Sequence, residues 1–221
     1  MTAGQERAID RHWPRFGLGP PPGPRVPPAH GPPIDPGAVF GRRSALVVEV
    51  GFGRGDALLD AAAARPDRDH VGIEVHAPGI GYFLARAHDR EIGNVRILFG
   101  DARELLRHRF PDDSLEEIRI WFPDPWPKAR HHKRRLVQPG FAELAASRLQ
   151  PGGRILAATD DEDYALRMLS VFESSPMLEN LAGPGTFWSG PTERPCTRFE
   201  ERGRRRGADI RDLRFARERT A

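Results

Sequence analysis

The chain has 221 residues, enough for one ordinary α/β domain and too few for two full ones. Hydrophobic residues make up 38% and charged residues 29%, a balance that permits one soluble core. There is no run of about 18 apolar residues, which excludes a membrane-spanning helix, and the amino terminus lacks the basic-then-apolar pattern of a signal peptide. A single cysteine, Cys196, excludes an internal disulfide framework and a cysteine-built zinc site. A reducing cytoplasm is therefore expected, with an idle or buried thiol.

Net charge is only +3, yet the pI is 9.6. Of 34 basic residues all but Lys128 and Lys133 are arginine. With abundant Ala, Gly and Pro, that ratio reads as the codon bias of a GC-rich genome. Both lysines fall in one short basic segment, where a compact ammonium serves better than a forked guanidinium.

Residues 14–36 hold ten of the 22 prolines, in strings such as Pro20-Pro21-Pro22-Gly23-Pro24. Such a stretch favours polyproline-like or disordered chain over helix or sheet ladder. The sequence thus predicts a flexible leader over 1–43 and one folded domain over 44–221. Linker is the better account of the prolines than a ligand for a proline-recognition domain.

From Leu46 onward short apolar runs alternate with helical patterns. Strands are predicted at Leu46–Val50, Val71–Val75, Val95–Phe99, Ile118–Phe122 and Arg154–Ala158, with a late strand at Ile210–Phe215. Helices are predicted at Ala57–Ala64, Gly81–Glu91, Arg103–Phe110, Phe141–Leu149 and Asp163–Phe172, the last with Asp163 near its N-cap. Alternation at this spacing implies an α/β fold with a mainly parallel, doubly wound sheet. Such sheets bind ligands at the carboxyl ends of their strands.

The first strand runs into Glu49-Val50-Gly51-Phe52-Gly53-Arg54-Gly55. Glycines there let the backbone turn tightly and approach a ligand. An acid two residues ahead of Gly51 would repel a pyrophosphate but suit the ammonium of a methionine moiety. Glu74 ends the second strand, where a carboxylate can accept from ribose hydroxyls. Asp101 follows the third, placed to meet an adenine amino group. Each alone is more often a solvated strand-end acid. Three at successive strand ends describe an adenosine-plus-amino-acid ligand, S-adenosylmethionine.

The fourth strand runs into Pro123-Asp124-Pro125-Trp126-Pro127. Three prolines in five residues fix the backbone and hold Asp124 at the sheet's carboxyl edge. The eight residues from Lys128 carry five positive charges and no acid. Beside Trp126 they form a phosphate-binding strip with an aromatic platform. His131 and His132 sit among like charge without a partner cysteine, so no metal is expected.

These residues bring the chain to a family. From Glu49 to Phe215 it resembles the bacterial tRNA (guanine-N7-)-methyltransferases, a class I S-adenosylmethionine-dependent group. The most specific element is the run from Phe122 to Arg135, supported by the Glu49–Gly55 loop, Gly72-Ile73-Glu74-Val75-His76, Gly100-Asp101-Ala102, Thr159-Asp160 and the stretch from Thr197 to Gly203. The resemblance implies a Rossmann-like sheet of seven strands with helices on both faces. It implies methyl transfer to N7 of guanine in the variable loop of tRNA (position 46), with S-adenosylmethionine as donor and no metal. Glu49, Gly51, Gly53, Glu74, Asp101 and Asp124 would hold the cofactor, with Asp124 also catalytic. Lys128, Asp160, Thr197, Arg198, Phe199 and Glu200 would bind the guanosine region. Arg130, His131, His132, Lys133, Arg134 and Arg135 would hold RNA. The partner is tRNA, with no membrane and no obligate protein partner, and the protein is a monomer or homodimer.

Two departures stand out. Arg198 replaces the family's usual lysine, keeping the charge while altering geometry. Residues 11–17 resemble the family's leader, but the basic arm usually ahead of them is absent from this sequence, which bears on tRNA affinity rather than chemistry. Rival readings are an amino-methyltransferase with a D/N-P-P-aromatic motif, a non-catalytic RNA-binding module and a nicotinamide dehydrogenase. The basic strip after Asp124 opposes the first, the intact acids the second, and the glycine spacing with Glu49 the third.

Overall fold

In the computed structural model, which describes residues 1–29, 31–192, 194–195 and 197–219, the apolar run Leu46–Val50 is strand β1 with all five residues buried. The chain divides into two compact units, Met1–Pro111 and Asp112–Ala221. The first holds α1 (Ala3–Phe16), α2 (Pro36–Phe40), β1, α3 (Asp56–Ala64), β2 (Asp69–Glu74), α4 (Ala77–Asp89), β3 (Val95–Phe99) and α5 (Ala102–Arg109). β2 pairs in parallel with both β1 and β3, with Val48 opposite Val71 and Val71 opposite Arg96. β1 and β3 are mostly Val, Ile, Leu and Phe, as strands covered on both faces are, whereas β2 buries Asp69, His70 and Glu74 as well.

The second unit holds β4 (Leu115–Trp121), a short 3-10 helix (Ala129–Arg134), α6 (Pro139–Arg148), β5 (Leu149–Thr159), α7 (Glu162–Glu173), β6 (Leu178–Asn180), α8 (Arg198–Arg205) and β7 (Arg211–Arg217). β4 and β5 are parallel, whereas β7 runs antiparallel to both β5 and β6. Seven strands are therefore present among the described residues. β6, three residues long, has too little pattern to be read from sequence. The N-cap of α7 is Asp161, which accepts from Tyr164 N at 2.8 Å, with Asp163 in the first turn, near the cap as the sequence predicts. The Asp163 carboxylate accepts from Arg135 Nη2 at 2.6 Å.

Within residues 1–43, where the sequence predicts flexible chain, Ala3–Phe16 forms the helix α1. Thr2 and Gln5 form a capping box at its start, and its buried face of Ala8, Ile9, Trp13 and Phe16 packs with Ile80, Phe83, Leu84 and Ala87 of α4. Gly81 permits this contact: a Cβ there would stand 2.7 Å from the carbonyl oxygen of Gln5. Proline density masked the pattern, because the helix extends through Pro14 to Phe16, where a single proline in its last turn is tolerated. Gly17 then forms an isolated bridge to Ile97, and Leu18 N donates to Ile97 O at 2.9 Å, which ties the start of the proline-rich stretch to β3.

Trp13 anchors α1 twice, by its buried ring and by an Nε1 bond to Gly19 O at 2.8 Å. Trp13→Ala is expected to destabilise the fold by about 3–5 kcal/mol, read as a lower urea midpoint.

Candidate functional site

The first unit presents its acids on strand ends. After β1, Gly51 and Gly53 take φ of 72° and 58°, a region open to glycine and strained for other residues. A Cβ at either would meet nothing within 4 Å, so their backbone faces open space. Gly55 is different: a Cβ there would lie 2.3 Å from the Phe83 ring, so this glycine serves packing. Glu49 is buried in β1, with 2% exposure. Glu74, also buried, binds the loop itself. Its Oε2 accepts from Gly53 N at 2.6 Å, and its Oε1 from Val75 N and His76 N at 2.7 and 2.9 Å. Asp101 is exposed and caps α5, its Oδ1 accepting from Arg103 N and Glu104 N at 3.0 and 3.1 Å. It opens on a cavity of about 320 Å³.

In the second unit, β4 passes into a loop strained at both ends. Phe122 and Trp126 have φ of 50° and 46°, unusual for bulky residues. Between them lies Asp124, exposed and without a hydrogen-bond or ion-pair partner among the described residues. Arg135 holds this loop. Its side chain is 3% exposed, donating from Nε to Pro125 O at 2.7 Å and from Nη2 to Asp163 Oδ2 at 2.6 Å. The guanidinium also covers the Tyr164 ring at 4.8 Å. The bond from Arg135 holds the Asp163 carboxyl below its usual range.

The basic strip is thus divided. Lys128, Arg130, Lys133 and Arg134 are exposed on or beside the 3-10 helix. Arg134 covers the Trp126 ring at 4.9 Å, and His131 meets the same ring edge-on at 5.9 Å. His132 lies 3.9 Å from Asp163. Arg135 is turned inward. Among the described residues no group of three His, Cys, Asp or Glu side chains is placed to hold a metal ion.

Helix α8 carries the carboxyl-terminal motif. The Thr197 hydroxyl caps it, accepting from Glu200 N at 3.1 Å. Phe199 is 48% exposed and stacks on Phe122 at 6.5 Å with the rings 17° apart. The side chain of Arg198 lies outside the described part of the structure, as does Cys196. Glu200 is buried against Arg194, whose Nε pairs with Asp212 at 3.0 Å, and it takes a second bond from Arg204 Nη2 at 2.7 Å. Burial alone would raise the Glu200 carboxyl, but the bonds from Arg194 and Arg204 outweigh it and the net shift is downward. Gly203 brings α8 against Asp160, half-buried at the end of β5: a Cβ at 203 would stand 2.9 Å from the Asp160 Cβ.

Arg194 and Asp212 escape sequence reading. One arginine among so many carries no local signal, and its partner lies 18 positions away.

Comparison with known proteins places these features in context. A family described as "Putative methyltransferase" matches residues 43–213. A tRNA (guanine-N(7)-)-methyltransferase of Alkalilimnicola ehrlichii is 50% identical over 96% of this chain and 86% of its own. One of Halorhodospira halophila is 47% identical over 96% and 89%. Among solved structures, the 16S rRNA methyltransferase KamB superposes with a TM-score of 0.56 at 16% identity, covering 81% of this chain and 90% of its own. An rRNA methylase from Streptococcus thermophilus gives 0.53 at 14% identity, covering 80% and 88%. These two structures share the fold, which is the mainly parallel, doubly wound α/β fold that the alternation of strands and helices implies.

Because the Glu200 carboxyl is held below its ordinary value, the stability it contributes is full above the unfolded carboxyl pKa and lost as pH falls through the lowered one. Glu200→Gln is expected to flatten that acid limb in pH-dependent denaturation. Arg194→Met leaves two carboxylates facing a vacated buried site and is expected to cost about 3–5 kcal/mol, measured by urea unfolding at neutral pH.

Proposed function

The chain belongs to the tRNA (guanine-N(7)-)-methyltransferase family, and on that premise we propose that it transfers a methyl group from S-adenosylmethionine to N7 of guanine in the variable loop of tRNA. The observation that carries this reading is the loop after β4. Asp124 is exposed and unpartnered among the described residues, between the strained Phe122 and Trp126, and exposed Lys128, Arg130, Lys133 and Arg134 follow within ten residues.

The residues of the first unit fit the cofactor. Gly51 and Gly53 leave open backbone at the end of β1, where a Cβ would otherwise project. Glu49 would hold the methionine ammonium. An ionised carboxylate has about four acceptor sites, and Glu74 spends three on backbone N–H groups, leaving one for a ribose hydroxyl. Asp101 uses Oδ1 as a cap, which leaves Oδ2 for the adenine amino group. S-adenosylmethionine, when bound, supplies an electrophilic methyl.

Guanine N7 carries a lone pair and no proton, so the protein needs no general base and its work is positioning. Asp124 accepts hydrogen bonds from guanine N1 and N2, and its charge favours the cation that develops on the purine. Phe199, exposed beside Phe122, offers a face for a splayed base. Thr197 and Glu200 act through α8, by capping it and locking it to Arg194. Lys128, Asp160 and Arg198 complete the guanosine site. His131, His132 and the exposed basic residues take the phosphates, and Arg135 contributes by holding the loop.

Among the described residues no helix is long and apolar enough to cross a membrane. Action in the cytoplasm on tRNA, as a monomer or homodimer, completes the proposal.

Labelled S-adenosylmethionine and unmodified tRNA transcripts, followed by borohydride and aniline cleavage, test the reaction. A single cut in the variable loop is expected, whereas label without a cut moves the assignment to amino methylation. Asp124→Asn is expected to lower kcat by about a hundredfold, and undiminished turnover removes the role given to Asp124. Neutralising Lys133 and Arg134 together is expected to reduce the slope of log K against log salt for tRNA binding by about 1.5, read by filter binding across a salt series.

A further inference from the structure

We infer that the proline-rich leader builds part of the cofactor site, with Pro27 and Pro28 forming a wall at the adenine end of the cavity that Asp101 also lines. This rests on the assignment of S-adenosylmethionine to the first unit and adds residues that the family motifs do not include.

A buried arginine carries the argument first. Proline-rich chain has few N–H groups with which to fasten itself, so it must be held by its carbonyls. Arg109 of α5, 7% exposed, does this. Its Nε donates to Pro32 O at 2.8 Å and its Nη1 to Leu18 O at 3.1 Å. The Arg109 carbonyl in turn accepts from Ile34 N at 2.7 Å, and Ile34 is itself buried. Gly31 passes over the guanidinium at φ 135°, where an added Cβ would stand 3.0 Å from it. The coil is therefore seated on α5 at several points.

Seated there, it lines an open cavity. Pro27, Pro28, Ala29 and Gly31 share the walls of this cavity of about 320 Å³ with Asp101, Glu104 and His108. Glu104 and His108 lie one turn apart on one face of α5, whose N-cap is Asp101. Glu104 is engaged with Arg107 at 2.6 Å and lies 3.5 Å from His108, whereas Asp101 offers an oxygen beyond those used in capping. Apolar rings and one available carboxylate in the walls of the same cavity suit a flat heterocycle with an exocyclic amine. Proline supplies that wall with little conformational freedom left to lose on binding.

Calorimetric titration of the full chain with S-adenosylhomocysteine tests the assignment. The double variant Pro27→Gly/Pro28→Gly is expected to bind about tenfold more weakly. Pro20→Gly/Pro21→Gly, in an exposed part of the same leader, is expected to bind as the wild type does. In the wild-type chain, S-adenosylhomocysteine should slow deuterium uptake at Ala29 and Gly31. Unchanged affinity of the inner variant, an equal loss in the outer one, or absence of that protection overturns the wall. A wild-type chain that binds no S-adenosylhomocysteine defeats the cofactor assignment itself, an outcome distinct from the others.

Discussion

A loop with three glycines in five residues has few side chains with which to keep its own shape: Phe52 packs on the Phe83 ring and Arg54 covers the Tyr82 ring, and the amides of the turn need a further hold. Glu74 supplies one. Its buried carboxylate gathers the amide of Gly53 with those of Val75 and His76, tying the turn after β1 to the end of β2. Charge-assisted bonds of this kind are short and strong, and a buried carboxylate so satisfied stays put. Gly51 N donates to Ile73 O at 2.8 Å and Phe52 packs on Phe83, and with these contacts the Glu74 carboxylate fixes the open backbone between the strand and α3. A residue expected to touch ribose is first of all the residue that gives the site its floor.

The same division of labour recurs in the second unit. Asp124 sits in a loop strained at Phe122 and Trp126, and strain persists only where surrounding structure over-determines it. Arg135 does so, by capturing Pro125 O while paired to Asp163. Along α8, Thr197 and Glu200 turn inward to cap and clamp, while Phe199 turns outward. The motif from Phe122 to Arg135 and the motif from Thr197 to Gly203 thus mix exposed groups with buried groups that hold the loop and the helix still. Spacing in sequence does not separate the two kinds; burial does.

The leader follows a related logic with different chemistry. Prolines lose little freedom when they are placed, but they cannot fasten themselves through N–H groups. Arg109 compensates with donors aimed at carbonyls, and α1 compensates by burying Trp13 and Phe16 at the other end. Between these two anchorages a segment that looks like linker becomes a surface with a defined place on α5.

Sequence alone determined the alternation of strands and helices, because buried strands must be apolar and helices must carry a buried stripe. It also determined the acids at the strand ends, since Glu49, Glu74, Asp101 and Asp124 each follow a recognisable run, and the family, since several motifs occur in order. It did not show α1, whose short stripe lies against a proline string, nor β6, whose three residues gain their strand character only from β7. Nor could it distinguish Arg135 from Arg134, or Gly55 from Gly53. Those distinctions depend on which neighbour fills the space beside a residue: Tyr164 and Asp163 for Arg135, solvent and Trp126 for Arg134, the Phe83 ring for Gly55, open space for Gly53. Contacts between residues far apart in the chain leave no local pattern, so only the tertiary structure decided which charges face outward and which hold the fold.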